Sequence, residues 1–165
     1  MGAGESGAGA ALLAKSKGLS VFVSDGGTIR KQYRQELESH GIEFEEGGHT
    51  AEIILSAGLI VKSPGIPDAV PVLERARQNG LQVISEIEFA ARYTKAYKIC
   101  ISGSNGKTTT TLLIFHILKT AGLDVCLAGN VGKSFARQLA EKDHAYFVIE
   151  LSSFQLDGMV DFKAE

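Results

Sequence analysis

At 165 residues, with 44% hydrophobic and 22% charged residues, the chain has the composition of an ordinary folded protein and no bias toward disorder. A formal charge of −2 and a pI near 6.1 exclude a general nucleic-acid binder, because no lysine- and arginine-rich face is available to neutralise phosphates along a duplex. No apolar run is long enough to cross a bilayer, so a cytoplasmic protein without membrane insertion is expected.

In chain order, the first signal is GAGESG at 2–7, which has the G-x-G-x-x-G spacing of a dinucleotide-type turn. Glycines allow a tight turn and close approach of a pyrophosphate, and Ser6 places a hydroxyl beside the same phosphates. A helix over about 7–17 and a strand over 20–24 follow, ending at Asp25, an acid positioned for a ribose or base edge. Only Met1 precedes the turn, so the strand that ordinarily feeds it is absent, and the chain is read as a piece of a longer enzyme cut at both ends.

A helix over 29–40, a strand over 43–45 and a strand over 59–62 come next, then Ser63-Pro64-Gly65-Ile66-Pro67. Proline fixes the backbone and glycine admits a ligand, so this loop reads either as a rigid wall of the site or as plain turn chemistry. A helix over 69–79, a strand over 82–84 and a helix over 86–93 complete a first module, with a boundary near Thr94.

The second module opens with a strand over 98–102 and the run GSNGKTTTT at 103–111, leading into a helix over 107–121. Strand, glycine loop and helix start turn backbone N–H groups toward a triphosphate. Gly103, Ser104, Asn105, Gly106, Lys107, Thr108 and Thr109 are the nucleotide-binding set, with Lys107 the cation for the phosphates and Thr108 a Mg²⁺ ligand. The loop is shorter than a strict P-loop, which would need a glycine where Ile101 stands.

A strand over 124–127 leads to Gly129-Asn130-Val131-Gly132, where Asn130 is either a left-handed turn device or a sugar contact. After a helix over 133–141, the strand over 145–151 carries Glu150, an acid at the end of an apolar run, where nucleotide-hydrolysing folds place a metal-organising carboxylate. Cys100 and Cys126 lie in apolar strand-like runs without metal spacing and read as free thiols, and the four histidines read as surface or packing residues. Alternating strands and helices predict α/β architecture with parallel sheets, whose ligands gather beyond the carboxyl ends of the strands.

Taken together and in order, GAGESGAG, VSD at 23–25, SPGIP, SEIEF, ISGSNGKTTTT, AGNVG and ELSSFQLD resemble the Mur ligase family over essentially the whole chain. The short glycine loop is the form that family uses, and ELSSFQLD points to its D-glutamate-adding branch. The resemblance implies a Rossmann-like N-terminal domain over 1–94 that binds the UDP substrate. It implies the start of a P-loop-type central ATP-binding domain over 95–165. Lys107 and Glu150 would be catalytic, Thr108 and Glu150 would hold Mg²⁺, and Ser6 and Asp25 would contact UDP. Gly65 and Asn130 would line the sugar, and Ser152 and Gln155 would reach toward the muramoyl end. ATP and Mg²⁺ are the implied cofactors, UDP-N-acetylmuramoyl-L-alanine and D-glutamate the implied substrates, and a monomer the implied state. The family pattern expects a carbamoylated lysine, a histidine and a further domain downstream, so residues 1–165 alone are expected to be inactive. A different amide ligase of the superfamily, such as an L-alanine-adding enzyme or a folylpolyglutamate synthase, a nicotinamide-dependent oxidoreductase and a non-catalytic nucleotide-sugar binding module remain as alternatives.

Overall fold

A computed structural model describes residues 1–156 and 158–164. The elements are α1 (Glu5–Ser16), β1 (Phe22–Asp25), α2 (Lys31–Ser39), β2 (Glu43–Glu46), α3 (Ala51–Leu55), β3 (Ile60–Lys62), α4 (Pro71–Gln78), β4 (Val83–Ser85), α5 (Glu86–Ala91), β5 (Tyr97–Ile101), α6 (Lys107–Thr120), β6 (Val125–Gly129), α7 (Phe135–Glu141), β7 (Tyr146–Glu150) and α8 (Ser153–Leu156). The two elements that the sequence pattern does not foretell are α3 and α8, five and four residues long. Neither is long enough for a 3.6-residue period to show. Pro71 lies at the first turn of α4, where a missing N–H costs nothing.

Every strand pair is parallel, as the alternating pattern predicts. Among the described residues the strands form three sheets: β1 with β2, β3 with β4, and β5-β7-β6 with β7 central. β7 is buried from Phe147 to Glu150, which is why it reads as a near-continuous apolar run.

The largest core cluster joins helices from both halves of the chain. Leu13 of α1, Ile87 and Phe89 of α5, Phe135 and Leu139 of α7, and Phe147 and Ile149 of β7 belong to it. Phe135 meets Phe147 edge to face at 4.9 Å between ring centroids. Close approach of α1 to α7 depends on Gly9, where a Cβ would stand 2.2 Å from Ser134 Oγ.

Charged side chains clamp the same contact. Arg137, 9% exposed at the side chain, donates from Nε to Glu5 Oε1 at 2.8 Å and from both terminal nitrogens to the Glu36 carboxylate. Glu5 Oε1 also accepts from Ser134 N–H at 2.9 Å. Truncating Arg137 to alanine leaves two partly buried carboxylates facing each other, and we expect a loss of roughly 2–3 kcal/mol in urea unfolding. That figure takes the low end because Glu5 and Glu36 stay 35% and 26% exposed. An unchanged urea midpoint would show the clamp to be idle.

The 158–162 segment is tied to α5 by one carboxylate. Glu88 Oε2 accepts from the N–H groups of Val160, Asp161 and Phe162, and Oε1 accepts from Arg92 Nε. Burial alone would raise the Glu88 pKa, but these donors outweigh it and hold the carboxyl below its ordinary range. Among the described residues no helix is long and apolar enough to cross a membrane.

Candidate active site

The three glycines of the first turn have three separate jobs. Gly2 takes a φ of +81°, and its N–H donates to Ser24 carbonyl at 2.8 Å. Gly7 lies so close to the turn that a Cβ would be 1.8 Å from Gly2 carbonyl oxygen. Gly4, the N-cap of α1, has nothing within 4 Å of its Cβ direction and no side-chain cap. Tight turn, open approach and close packing are the division that a pyrophosphate-binding turn requires. The free N–H groups of the first helical turn face the open side of Gly4.

Around this turn the predicted residues take distinct positions. Ser6 lies in the first turn of α1 and is partly exposed. Asp25 ends β1 and stitches the loop, with Oδ2 accepting from Ala3 N–H at 2.6 Å and Oδ1 from Gly27 N–H at 2.8 Å. Each oxygen retains one lone pair for a ligand. Beside it, Ser24 Oγ donates to Glu45 Oε1 and contacts His49 Nδ1, both at 2.6 Å. His49 therefore packs as expected, and its Nε2 would lie 3.1 Å from a Cβ on Gly26.

Gly65 is exposed in the loop after β3, with open space about it. Lys62 Nζ stiffens that loop, donating to Ile66 carbonyl at 2.8 Å and pairing with Asp68 at 3.3 Å. Sequence reasoning missed Ser63 as a site residue. Its Oγ is buried without a partner and would touch a Cβ on Gly2 at 2.7 Å, so an unpaired hydroxyl sits directly under the turn. The available signal was a serine immediately after a buried strand, at its carboxyl end.

At the second site, β5 runs into the loop Gly103–Gly106 and α6. Gly103 and Gly106 have φ of +139° and +74°, and Gly106 caps α6 without a side-chain bond. The first in-helix bond is Thr110 N–H to Gly106 carbonyl, which leaves the N–H groups of Lys107, Thr108 and Thr109 pointing out of the helix end. Lys107 Nζ reaches back to Gly103 carbonyl at 2.6 Å, over the loop. Of the four threonines, Thr111 is buried and bonds the Lys107 carbonyl, whereas Thr108, Thr109 and Thr110 are exposed.

Glu150 pairs in register with Ile101 on β5 and Gly129 on β6, and Leu151 N–H donates to Ile101 carbonyl at 2.9 Å. The carboxylate and the glycine loop therefore share the carboxyl-end edge of one sheet. Glu150 is 2% exposed; Oε1 accepts from Asn130 Nδ2 at 2.9 Å and Oε2 is buried with no partner. An orphaned carboxylate oxygen beside a phosphate-type loop suits a divalent cation, and the Thr108 hydroxyl supplies a second hard oxygen. Asn130 thus orients Glu150 through one N–H of its amide nitrogen, which leaves its second N–H and its Oδ1 for a sugar. Close by, a Cβ on Gly129 would stand 2.3 Å from Glu150 carbonyl, so glycine is required for β6 and β7 to meet there.

Ser152 and Gln155 hold one another, with Ser152 N–H and Oγ both donating to Gln155 Oε1 at 2.9 and 3.1 Å. Gln155 is buried, and its Oε1 closes the start of α8. Neither Cys100 nor Cys126 is in a disulfide, and burial pushes the Cys126 thiol up to about 11.

Comparison with known proteins fits this geometry. The MurD N-terminal domain model matches residues 1–71 and the Mur ligase middle domain model matches residues 101–164. A UDP-N-acetylmuramoylalanine–D-glutamate ligase of Bacteroides fragilis is 63% identical over all 165 residues, and one of Porphyromonas gingivalis is 62% identical over 164. The chain spans 37% and 36% of the lengths of those two relatives. Among solved structures, the UDP-N-acetylmuramate:L-alanyl-γ-D-glutamyl-meso-diaminopimelate ligase of Neisseria meningitides aligns with a TM-score of 0.59 at 26% identity, covering 87% of this chain and 48% of that one. A murein peptide ligase of Psychrobacter arcticus gives the same score and identity over 91% of this chain and 36% of that one. The two phosphate-type turns, the sheet-edge carboxylate and these matches agree that the chain belongs to the Mur ligase family.

Proposed function

We propose that this chain is the UDP-binding and ATP-binding portion of an ATP-dependent ligase that adds D-glutamate to UDP-N-acetylmuramoyl-L-alanine in cytoplasmic peptidoglycan synthesis. Residues 1–94 form the substrate-binding module and residues 95–165 begin the ATP module of a monomeric enzyme. The observation that carries this reading is the orphaned Glu150 Oε2 on the same sheet edge as the Gly103–Lys107 loop. The 63% identity to a D-glutamate ligase over the full chain supports the choice of amino acid.

In this reaction the terminal carboxylate of the UDP-linked substrate attacks the γ-phosphorus of ATP, giving an acyl phosphate and ADP. The amine of D-glutamate then attacks the acyl carbon and phosphate leaves. Both reactants of the first step are anions, so the site must neutralise charge before they meet. Lys107 places its ammonium on the β and γ phosphates, and the outward N–H groups of the α6 N-terminus hold their oxygens. Thr108 and Glu150 would hold Mg²⁺, which when bound disperses phosphate charge. Asn130 keeps the Glu150 carboxylate aimed at that position. In the first module, Gly4, Ser6 and Ser63 surround the UDP pyrophosphate and Asp25 the uridine, while Gly65 lines the sugar path.

Calorimetric titration of the chain with MgATP and, separately, with UDP tests this reading. Both should bind, and Lys107→Ala should weaken MgATP by about 10- to 100-fold, the value of one charge-assisted contact, with UDP unaffected. Binding of UDP alone would leave a nucleotide-sugar module without ligase chemistry. Residues 1–165 by themselves should release no phosphate on addition of D-glutamate, whereas the longer enzyme should respond to D-glutamate and to no other amino acid.

A further inference from the structure

Glu5 sits inside the first phosphate-type turn, between Gly4 and Ser6, at the first position of α1. A carboxylate there opposes a pyrophosphate, because like charges held in one turn repel. Its charge is directed instead across 129 residues of sequence to the second module. Oε1 accepts from Ser134 N–H at 2.9 Å and from Arg137 Nε at 2.8 Å, and Glu5 carbonyl accepts from Ser134 Oγ at 3.3 Å. The guanidinium neutralises the carboxylate, and Ser134 is held at both its N–H and its hydroxyl.

Ser134 is the N-cap of α7 and directly follows the turn that carries Asn130. Lys133 carbonyl accepts from Gly129 N–H at 3.0 Å, which closes residues 129–133 into a ring. From that ring Asn130 N–H donates to Glu150 carbonyl and Asn130 Nδ2 to Glu150 Oε1, both at 2.9 Å. An unbroken path of hydrogen bonds and peptide bonds therefore runs from the Glu5 carboxylate to the Glu150 carboxylate, whose Oε2 is buried without a partner.

We propose that Glu5 is a positioning residue for Glu150: it anchors the 129–133 ring from the opposite module and so keeps the unpaired oxygen ordered for a divalent cation. The inference rests on the reading of Glu150 as a metal-holding carboxylate. Groups that orient a metal ligand directly are worth about 10- to 100-fold in metal affinity. Glu5 acts one step farther out through Asn130, so about fivefold to tenfold is expected of it.

The test is calorimetric titration of the chain with ATP in Mn²⁺ and, separately, in EDTA, with circular dichroism to confirm the fold of each variant. The ratio of the two affinities is the metal gain, and in the parent it should exceed about tenfold. Glu5→Ala should cut this gain about fivefold to tenfold and leave the affinity in EDTA unchanged, since that depends on Lys107 and the α6 amides. Glu5→Gln keeps an acceptor for Ser134 N–H and should restore most of the gain. Glu5→Asp keeps the charge but withdraws the oxygen by one methylene, so it should show a smaller loss, and it serves if Glu5→Ala does not fold.

Glu36→Ala is the control, because it breaks the other side of the Arg137 clamp and leaves the Ser134 contact in place. It should lower the urea midpoint without changing the metal gain. In an Asn130→Ala background, Glu5→Ala should cost no further gain, because the path is already cut. With no metal present, the Asn130 amide should exchange its hydrogen about fivefold faster in Glu5→Ala and at the parent's rate in Glu36→Ala.

A folded Glu5→Ala with the parent's metal gain overturns the proposal. An equal loss in Glu36→Ala overturns it too, since the clamp would then act through stability alone, as does full additivity with Asn130→Ala. If ATP binds the parent no better in Mn²⁺ than in EDTA, the reading of Glu150 itself fails and the inference falls with it.

Discussion

Replacing Gly7 by alanine should destabilise the first module, whereas the same change at Gly4 should leave the fold intact and weaken UDP binding. A Cβ at position 7 would stand 1.8 Å from Gly2 carbonyl oxygen and 2.7 Å from its carbonyl carbon. Both are backbone atoms of a turn already held to Ser24, so neither yields by a rotamer change, and α1 must move off the sheet. The gain in helix propensity from glycine to alanine is under about 1 kcal/mol. Overpacking against fixed backbone costs on the order of 3 kcal/mol or more, so the clash wins. In a chain of this size that lowers the melting temperature by about 6–12 °C.

At position 4 the added methyl meets nothing. Stability should change by less than about 1 kcal/mol, because neither glycine nor alanine caps the helix with a side chain. The methyl would occupy the space through which a pyrophosphate approaches the α1 N-terminus, and UDP affinity should fall at least tenfold. Urea unfolding and UDP titration of both variants check the pair. A stable Gly7→Ala, or a Gly4→Ala that binds UDP normally, would contradict the assignment of roles within the turn.

The second large effect is a pH dependence centred on Glu86. This carboxyl is fully buried at the start of α5; Oε1 accepts from Ala136 N–H and Oε2 has no partner. Burial raises its pKa to about 7, the Ala136 bond working against that and Glu5 adding to it, from an ordinary value of 4.5. Between those values the folded chain carries a proton that the unfolded chain has lost, so stability falls as pH rises from 4.5 to 7 and stays low above it. The loss is on the order of 3 kcal/mol.

Glu86→Gln keeps an acceptor for Ala136 and cannot ionise. Relative to the parent it should gain stability steadily from pH 4.5 to 7, with the difference constant above that. The difference isolates Glu86, because the Met1 amine tilts both curves the other way. Its folded pKa is depressed from 8.0 to about 6, so stability from that group rises over pH 6 to 8. Parallel urea-unfolding curves for the two proteins across pH 4.5 to 8 would remove Glu86 as a buried titrating group. Since Ala136 belongs to α7 and Glu86 to α5, the ionised carboxylate weakens the contact between the two helices at the centre of the largest core.

Local pattern in the sequence determined the order of the strands and of every helix but the short α3 and α8, the parallel pairing and the positions of both phosphate-type turns. The reason is that each of these depends on residues within one period of one another. Gly2, Gly4 and Gly7 lie within a single turn, Gly103 to Lys107 within another, and Glu150 ends its own apolar strand. Tertiary structure alone decided the rest. That Arg137 clamps Glu5 and Glu36, that Asn130 and not solvent holds Glu150, that Glu88 gathers three backbone N–H groups and that Ser63 lies unpaired beneath the first turn are contacts between residues 20 to 132 positions apart. No periodicity carries such information, because the energy of a buried polar group is set by which partner the fold delivers to it.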